Sequence, residues 1–264
     1  MAADPGFPAR ARRVTQGARW AELAALGPYF AVDTHLPGSH VCPPWRPLGE
    51  LISTPATLTA RIGDVRARLA AAAGCPAGGV EFRVAASVAQ LGLCARLLSP
   101  VLGAAAAGWA LSVDTAQARW VPALGGPFRL SLPAAADAEA EEAPEAGPSG
   151  SAPLILLAGP VRQLVEAVAA MAVSPRVLWG NVASAVSGAV TMIAVARPDL
   201  AAAAAEAAAA VLRYPALAGT YRGTPAAGFR RRNCCLIYRL SPDGPDRYCG
   251  DCVLGPGPGQ RPDA

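Results

Sequence analysis

The chain has 264 residues, enough for one sizeable core or two small ones, and a net charge of +4, too mild a surplus to point to nucleic acid. All 23 basic residues are arginine; with 27 Gly, 26 Pro and abundant Ala this reads as the codon bias of a GC-rich genome, so arginine richness alone assigns nothing. Seven cysteines in a chain of this length do not make a small secreted disulfide framework.

The opening string, MAADPGFPARARRVTQGARW, carries no apolar stretch after its charges, and Arg12-Arg13 is followed by no hydrophobic region. Neither a secretory leader nor a twin-arginine signal is predicted, and a cytoplasmic location, where thiols stay reduced, is expected. Residues 14–26 read as a short amphipathic helix with Trp20, Leu23 and Leu26 on one face, stopped by Gly27-Pro28. Residues 33–50 form a polar, Pro-rich loop. Thr54 precedes a helix opening at Pro55, with Leu58, Ile62, Val65 and Leu69 at helical spacing, ended by Gly74 to Gly79. From Val84 to Ala107 apolar residues are too dense for a surface helix, and Pro100 predicts two helices meeting at Ser99-Pro100. Residues 109–123 and 127–132 look strand-like, and Gly125-Gly126 between them predicts a hairpin.

Residues 133–153 are acidic, rich in Pro, Gly and Ser, and free of aromatic residues; they are expected to be a disordered surface loop inserted in a single domain. Leu154 to Leu157 reads as a short apolar strand. Gly159-Pro160 opens a helix through Met171, Ser174-Pro175 another over about 177–196, and Pro198-Asp199 an Ala-rich helix over 199–213. Between Arg176 and Arg197 lie 20 residues without a charge, long enough to span a membrane. Gly180, Asn181, Ser184, Ser187, Gly188 and Thr191 keep its hydrophobicity modest, so a buried helix and no stable membrane insertion are expected. The tail GPGPGQRPDA is expected to be disordered; no strand precedes its glycines and no helix follows, so they form no dinucleotide fingerprint.

The chemistry concentrates in RRNCCLIYRLSPDGPDRYCGDC. Cys234 and Cys235 are adjacent, and Cys249 and Cys252 make a Cys-x-x-Cys pair across Gly250 and Asp251. Four thiolates on one point suit a soft or borderline metal, either an iron–sulfur cluster or a structural zinc, with disulfides or free thiols as the remaining readings. The Cys-x-x-Cys spacing lets a tight turn aim both sulfurs at one centre, and Gly250 is expected to ease that turn. Adjacent side chains in extended backbone point to opposite faces, so the Cys234-Cys235 pair needs a local bend, which a two-iron cluster accepts more easily than one zinc ion. Arg230-Arg231-Arg232 precede the pair. They read either as a solvated run or as charge that steadies an anionic centre and guides an acidic donor.

Asp33, His35, His40 and Cys42 form a second constellation with metal-ligand spacing; it includes the only two histidines, in a loop that nothing holds in shape. Cys75 and Cys94 read as small buried hydrophobes. Trp45, Trp179 and Asn181 are considered for a pocket lining, with core packing the competing reading for the tryptophans. No Ser/His/Asp triad, phosphate-binding loop, flavin or nicotinamide motif is present.

The cysteine string, with Arg231 and Arg232 before it, resembles that of the FhuF-like ferric-siderophore reductases, which carry a [2Fe–2S] cluster on an adjacent Cys pair followed by Cys-x-x-Cys. Weaker similarity covers RVLWGNVASA (176–185) and LGLCARLLSPVL (91–102). The gap between the pairs, residues 236–248, is longer than the family's usual gap, and the excess falls in a turn-rich loop where length is cheap. The predicted elements make one α+β domain, mostly helical with a small antiparallel sheet, and the resemblance implies a FhuF-like domain over 1–264 with a cluster-binding segment at 228–254. It implies a [2Fe–2S] cofactor on Cys234, Cys235, Cys249 and Cys252, with no catalytic residue beyond that centre. The implied activity is one-electron reduction of ferric iron in an imported siderophore, such as a hydroxamate, by a cytosolic monomer supplied by a ferredoxin-like or reductase donor. A zinc-stabilised binding module and an iron–sulfur redox sensor are the competing classes.

Overall fold

A computed structural model describes residues 16–123, 126–134, 151–225, 227–240 and 248–255. The expectations for most of the acidic segment, for the turn-rich loop after residue 240 and for the tail beyond 255 lie outside these residues.

A helix that is apolar on every side belongs at the centre of a protein. Helix α4 (Phe82–Ala106) is such a helix, with Val84, Leu93, Leu97, Leu98, Val101 and Leu102 all buried. It is one helix and not the predicted two, because it runs straight through Pro100. Proline removes one intrahelical bond, at a cost of about 3 kcal/mol. Burial on all sides outweighs this, and the Ser99 hydroxyl donates to the Ala95 carbonyl at 2.7 Å just before the proline. Helix α7 (Pro175–Ala196) makes the most extensive helix–helix contact with α4. Around this pair pack α1 (Gln16–Ala25), α3 (Pro55–Ala72) and α8 (Ala201–Leu212), with short α2 (Glu50–Ser53) leading into α3. Thr54 stands before α3 as predicted, yet its side chain makes no capping bond.

Two expectations between residues 151 and 171 are corrected. Leu154 to Leu157 is not a strand: α5 (Ser151–Leu156) passes through a wide turn at Leu157–Val161 into α6 (Arg162–Ala169). Gly159-Pro160 sits inside that wide turn and opens no helix. The last residues of the predicted loop, 151–153, therefore belong to α5, and Pro133 closes a strand.

The fold is mostly helical α+β. Its small sheet has the order β1-β4-β3-β2, built from β1 (Asp33–His35), β2 (Arg46–Pro47), β3 (Arg119–Val121) and β4 (Arg129–Pro133). β3 and β4 pair antiparallel as predicted, with Trp120 opposite Leu130, while β1 joins β4 in parallel. A second antiparallel pair, β5 (Tyr221–Thr224) with β6 (Ala227–Arg231), has no counterpart among the predicted elements. Gly223 is required there: its φ is 74°, and a Cβ would come within 2.4 Å of the Gly228 carbonyl oxygen. Buried apolar side chains from α1 to α8 and from β3 and β4 form one continuous cluster.

By length and composition Phe82–Ala106, Ser151–Ala169 and Pro175–Ala196 could each cross a membrane. In the fold the most apolar windows of the first and last are 78% and 61% buried by protein, and that of Ser151–Ala169 is 39% buried.

Arg96 joins helices to sheet. Only 2% exposed, it donates to the carbonyls of Phe128 (2.7 Å), Tyr29 (2.8 Å) and Ala31. Burial lowers its pKa to about 10, so it stays charged at neutral pH. Arg96→Met leaves three carbonyls without this donor, and each such loss costs about 1–3 kcal/mol. Urea unfolding is expected to show a loss of about 3 kcal/mol or more, against less than about 0.5 for exposed Arg68→Met.

Candidate metal centre

Strand β6 delivers the chain directly into the cysteines, and four contacts hold the segment against α4 and α7. Ser87 Oγ of α4 donates to the Cys235 carbonyl at 2.9 Å. Asn233 Nδ2 donates to the Arg176 carbonyl at 3.0 Å, and the Ser184 hydroxyl of α7 to the Asp251 carboxylate. The Arg231 amide donates to the Asp251 carbonyl at 3.0 Å, linking β6 to the Cys-x-x-Cys turn. Arg239, in the single turn Ile237–Leu240, pairs with Glu81 at 2.6 Å at the start of α4.

Cys235 and Cys252 are buried at 3% exposure, and Cys234 and Cys249 are half-buried. The bend that adjacent ligands need comes immediately after them: Leu236 has φ 73°, and its N–H donates to Cys234 Sγ at 3.3 Å. The other pair is turned by a bond from the Cys252 amide to the Cys249 carbonyl at 3.1 Å, and the Leu254 N–H donates to Cys252 Sγ at 3.3 Å. Gly250 is not needed for that turn, since its φ is not left-handed and an added Cβ would meet nothing within 4 Å.

Cys235 Sγ and Cys249 Sγ lie 3.4 Å apart. A disulfide needs about 2.05 Å, so the two are not bonded, whereas tetrahedral metal–sulfur bonds of about 2.3 Å place ligand sulfurs about 3.8 Å apart. The pair therefore stands close to ligand spacing. Hydrogen bonding from Cys249 lowers the Cys235 pKa to about 6, against burial and with help from the Ile237 N–H and the Arg231 charge. The same shared proton, and then burial, push the Cys249 thiol up. Burial raises the Cys234 pKa, and neighbouring Cys235 and Cys252 raise it further, opposed by the Leu236 N–H and Arg231. Cys234 thus feels Cys235 and Cys252, and Cys249 feels Cys235 and Cys252. Among the described residues no three His, Cys, Asp or Glu side chains close on a common point.

The arginine run divides. Arg230 and Arg231 are buried, at 7% and 1% exposure, and Arg232 is exposed. A solvated run is therefore the wrong description of the first two. Arg230 donates to the carbonyls of Cys252 and Gly255, the latter at 2.6 Å. Arg231 reaches Asn181, yet its Nη1 is buried with no partner among the described residues. An unpartnered buried guanidinium nitrogen on the residue whose charge reaches Cys234 and Cys235 fits an anionic metal–thiolate group, and the all-sulfur donor set suits iron or zinc.

The second constellation does not assemble. His35 Nδ1 bonds Ser131 Oγ at 2.7 Å, Asp33 pairs with Arg129 at 3.1 Å, and His40 and Cys42 lie exposed. Burial and nearby Arg119 lower the His35 pKa. Cys94 is buried as predicted and Cys75 half-buried. Of the proposed pocket residues, Trp179 lines a cavity of about 380 Å³ with Tyr214, Pro175 and Arg162, while Trp45 lies under Arg129 and Asn181 is wholly buried on another face of α7. The residues that sequence reasoning missed are Ser87 and Gln90, which bond Asn181 inside the core.

No protein-family model, curated protein or solved structure matches the chain.

Maleimide added to the native, metal-free chain is expected to label exposed Cys42 first and Cys94 last, because Cys94 is fully buried and burial raises its pKa. Mass-spectrometric mapping with time checks the order; early labelling of Cys94 would show that the α4–α7 core opens readily.

Proposed function

We propose that Cys234, Cys235, Cys249 and Cys252 hold a [2Fe–2S] cluster and that the protein passes one electron to ferric iron in an imported siderophore, in the cytoplasm, as FhuF-like reductases do. One observation carries the choice of a two-metal group over zinc. Cys235 and Cys249 stand near ligand spacing, while no third donor among the described residues closes on the same point. A single tetrahedral ion needs all four donors on one centre; a two-iron cluster takes two thiolates on each iron.

When bound, the cluster supplies a one-electron carrier. The chain's own residues supply its setting. Backbone N–H groups of Leu236 and Leu254 spread the charge of Cys234 and Cys252, and burial of Cys235 and Cys252 limits water. Arg231 places positive charge beside Cys234 and Cys235, which favours an electron-rich centre. Hard oxygen donors such as hydroxamates hold Fe(III) far more tightly than Fe(II), so one electron delivered to the chelate releases the metal and leaves the ligand intact. With no flavin or nicotinamide motif in the sequence, electrons arrive from a ferredoxin-like or reductase partner.

Protein reduced without oxygen and mixed with a ferric hydroxamate siderophore, with Fe(II) trapped by a ferrous chelator, is expected to yield one Fe(II) per electron stored. The yield is expected to vanish in Cys252→Ser, since a hydroxyl is a poor ligand for iron, and to persist when Cys42, Cys75 and Cys94 are replaced. A reducible cluster that passes no electron to any ferric siderophore would contradict the reductase reading and leave the redox sensor.

A further inference from the structure

Asn181 is wholly buried in the second turn of α7, and its orientation is unambiguous. Its Nδ2 donates to the Ser87 carbonyl (2.9 Å), Ser87 Oγ (3.1 Å) and Gln90 Oε1 (2.8 Å), so its Oδ1 faces Arg231 Nη2 and accepts from it. A flipped amide would set donor against donor at Arg231 and acceptor against acceptor at Ser87. The Arg231 side chain is further held by bonds from Nε to the Asn233 carbonyl (3.2 Å) and from Nη2 to the Val177 carbonyl (3.4 Å). Gly180 leaves the room: a Cβ there would stand 3.3 Å from Arg231 Nη2.

The guanidinium is thus clamped on two nitrogens, while among the described residues its buried Nη1 has no hydrogen-bond partner and no carboxylate pairs with it. The carboxylate of Asp251 takes the Ser184 hydroxyl instead. A buried charge without a counterion is strongly unfavourable. Four thiolates on a divalent ion, or on an oxidised two-iron cluster, leave a net charge of two negative, and Arg231 is bonded to both arms of the centre, its amide to the Asp251 carbonyl before Cys252 (3.0 Å) and its Nε to the Asn233 carbonyl before Cys234.

We propose that Arg231 is the built-in counterion of the loaded cysteine centre, and that Asn181, itself held by Ser87 and Gln90, is the positioning residue that keeps Arg231 Nη1 free for it. The inference rests on the reading that the four cysteines bind a metal, and is independent of which metal it is.

The test titrates Co(II) into the full-length, metal-stripped, reduced chain, following the sulfur-to-cobalt charge-transfer band and the unfolding temperature. Arg231→Met is expected to weaken Co(II) binding at least about tenfold, as loss of a partner in the outer shell of a metal site commonly does. The metal-free chain should keep its unfolding temperature within about 4 °C, because the change also removes a lone buried charge. Arg231→Lys retains the charge and should stay within about threefold of the parent, and exposed Arg232→Met should match it. Asn181→Asp sets a carboxylate against the guanidinium and cancels its charge in place, so it too should weaken binding about tenfold. That variant decides the question if Arg231→Met does not fold. In the iron-loaded chain the same two variants are expected to lower the midpoint potential by about 59 mV, a tenfold change in the one-electron equilibrium. Cobalt affinities within twofold of the parent in both variants would overturn the proposal, as would a parent chain that binds Co(II) without a four-thiolate spectrum. A cobalt effect in a chain that never holds iron and sulfide would leave this inference standing and remove the reductase reading.

Discussion

The structure depends on a polar seam inside its most apolar contact. Where α4 meets α7, Ser87, Gln90 and Asn181 are all fully buried. Buried polar groups need partners, and a half-satisfied network is worse than an apolar core. These three satisfy one another only in part. The remaining hydroxyl of Ser87 goes to the Cys235 carbonyl, the remaining oxygen of Asn181 goes to Arg231, and Gln90 also reaches Cys94 Sγ at 3.0 Å. The helical core is therefore complete only when β6 and the cysteine segment dock on it. The same hydrogen bonds that select this docking place the thiols at the mouth of the core, where Cys235 and Cys252 lose their contact with water.

A comparison of two buried arginines separates scaffold from site. Arg96 spends Nε, Nη1 and Nη2 on three carbonyls and ties α4 to the loop before β1 and to the approach to β4. Its role is structural, as the planar fork of a guanidinium suits several fixed acceptors at once. Arg231 is buried as deeply, yet one nitrogen stays uncommitted. Nε of Arg61 and Nε of Arg119 also lack a partner among the described residues, but of these three arginines only Arg231 lies on the strand that leads into Cys234 and Cys235. Its electrostatic action on Cys234 and Cys235 is in the direction that favours thiolate. Burial alone would work the other way, as it does at Cys94.

The sequence was most legible where one pattern dominated. The cysteine spacing marked the segment that docks on α4 and α7, the apolar periodicity after Pro55 marked the helix Pro55–Ala72, and the Ser174-Pro175 start marked Pro175–Ala196. The antiparallel pairing of β3 with β4 followed from the sequence signal Gly125-Gly126 between them. Legibility failed where tertiary burial overrode a local rule. Pro100 reads as a break and is carried by a helix packed on every side. The run Leu154–Leu157 is too short for its period to separate strand from buried helix, and packing made it helix. Strands β5 and β6 escaped notice because Gly223 and Gly228, both at left-handed φ, interrupt the alternation that marks a strand. Asn181 was the visible sign of the seam, a strongly polar side chain in a 20-residue run without charge; its partners Ser87 and Gln90 lie some ninety residues away and nothing local announces them.

The central claim is that these four cysteines hold an iron–sulfur cluster on this scaffold. Iron, zinc and acid-labile sulfide, measured together on the full-length chain purified without oxygen, test it most directly. The account predicts two irons and two sulfides per chain in a red-brown protein, with an EPR signal that develops on one-electron reduction. A colourless protein carrying one zinc and no sulfide would contradict it.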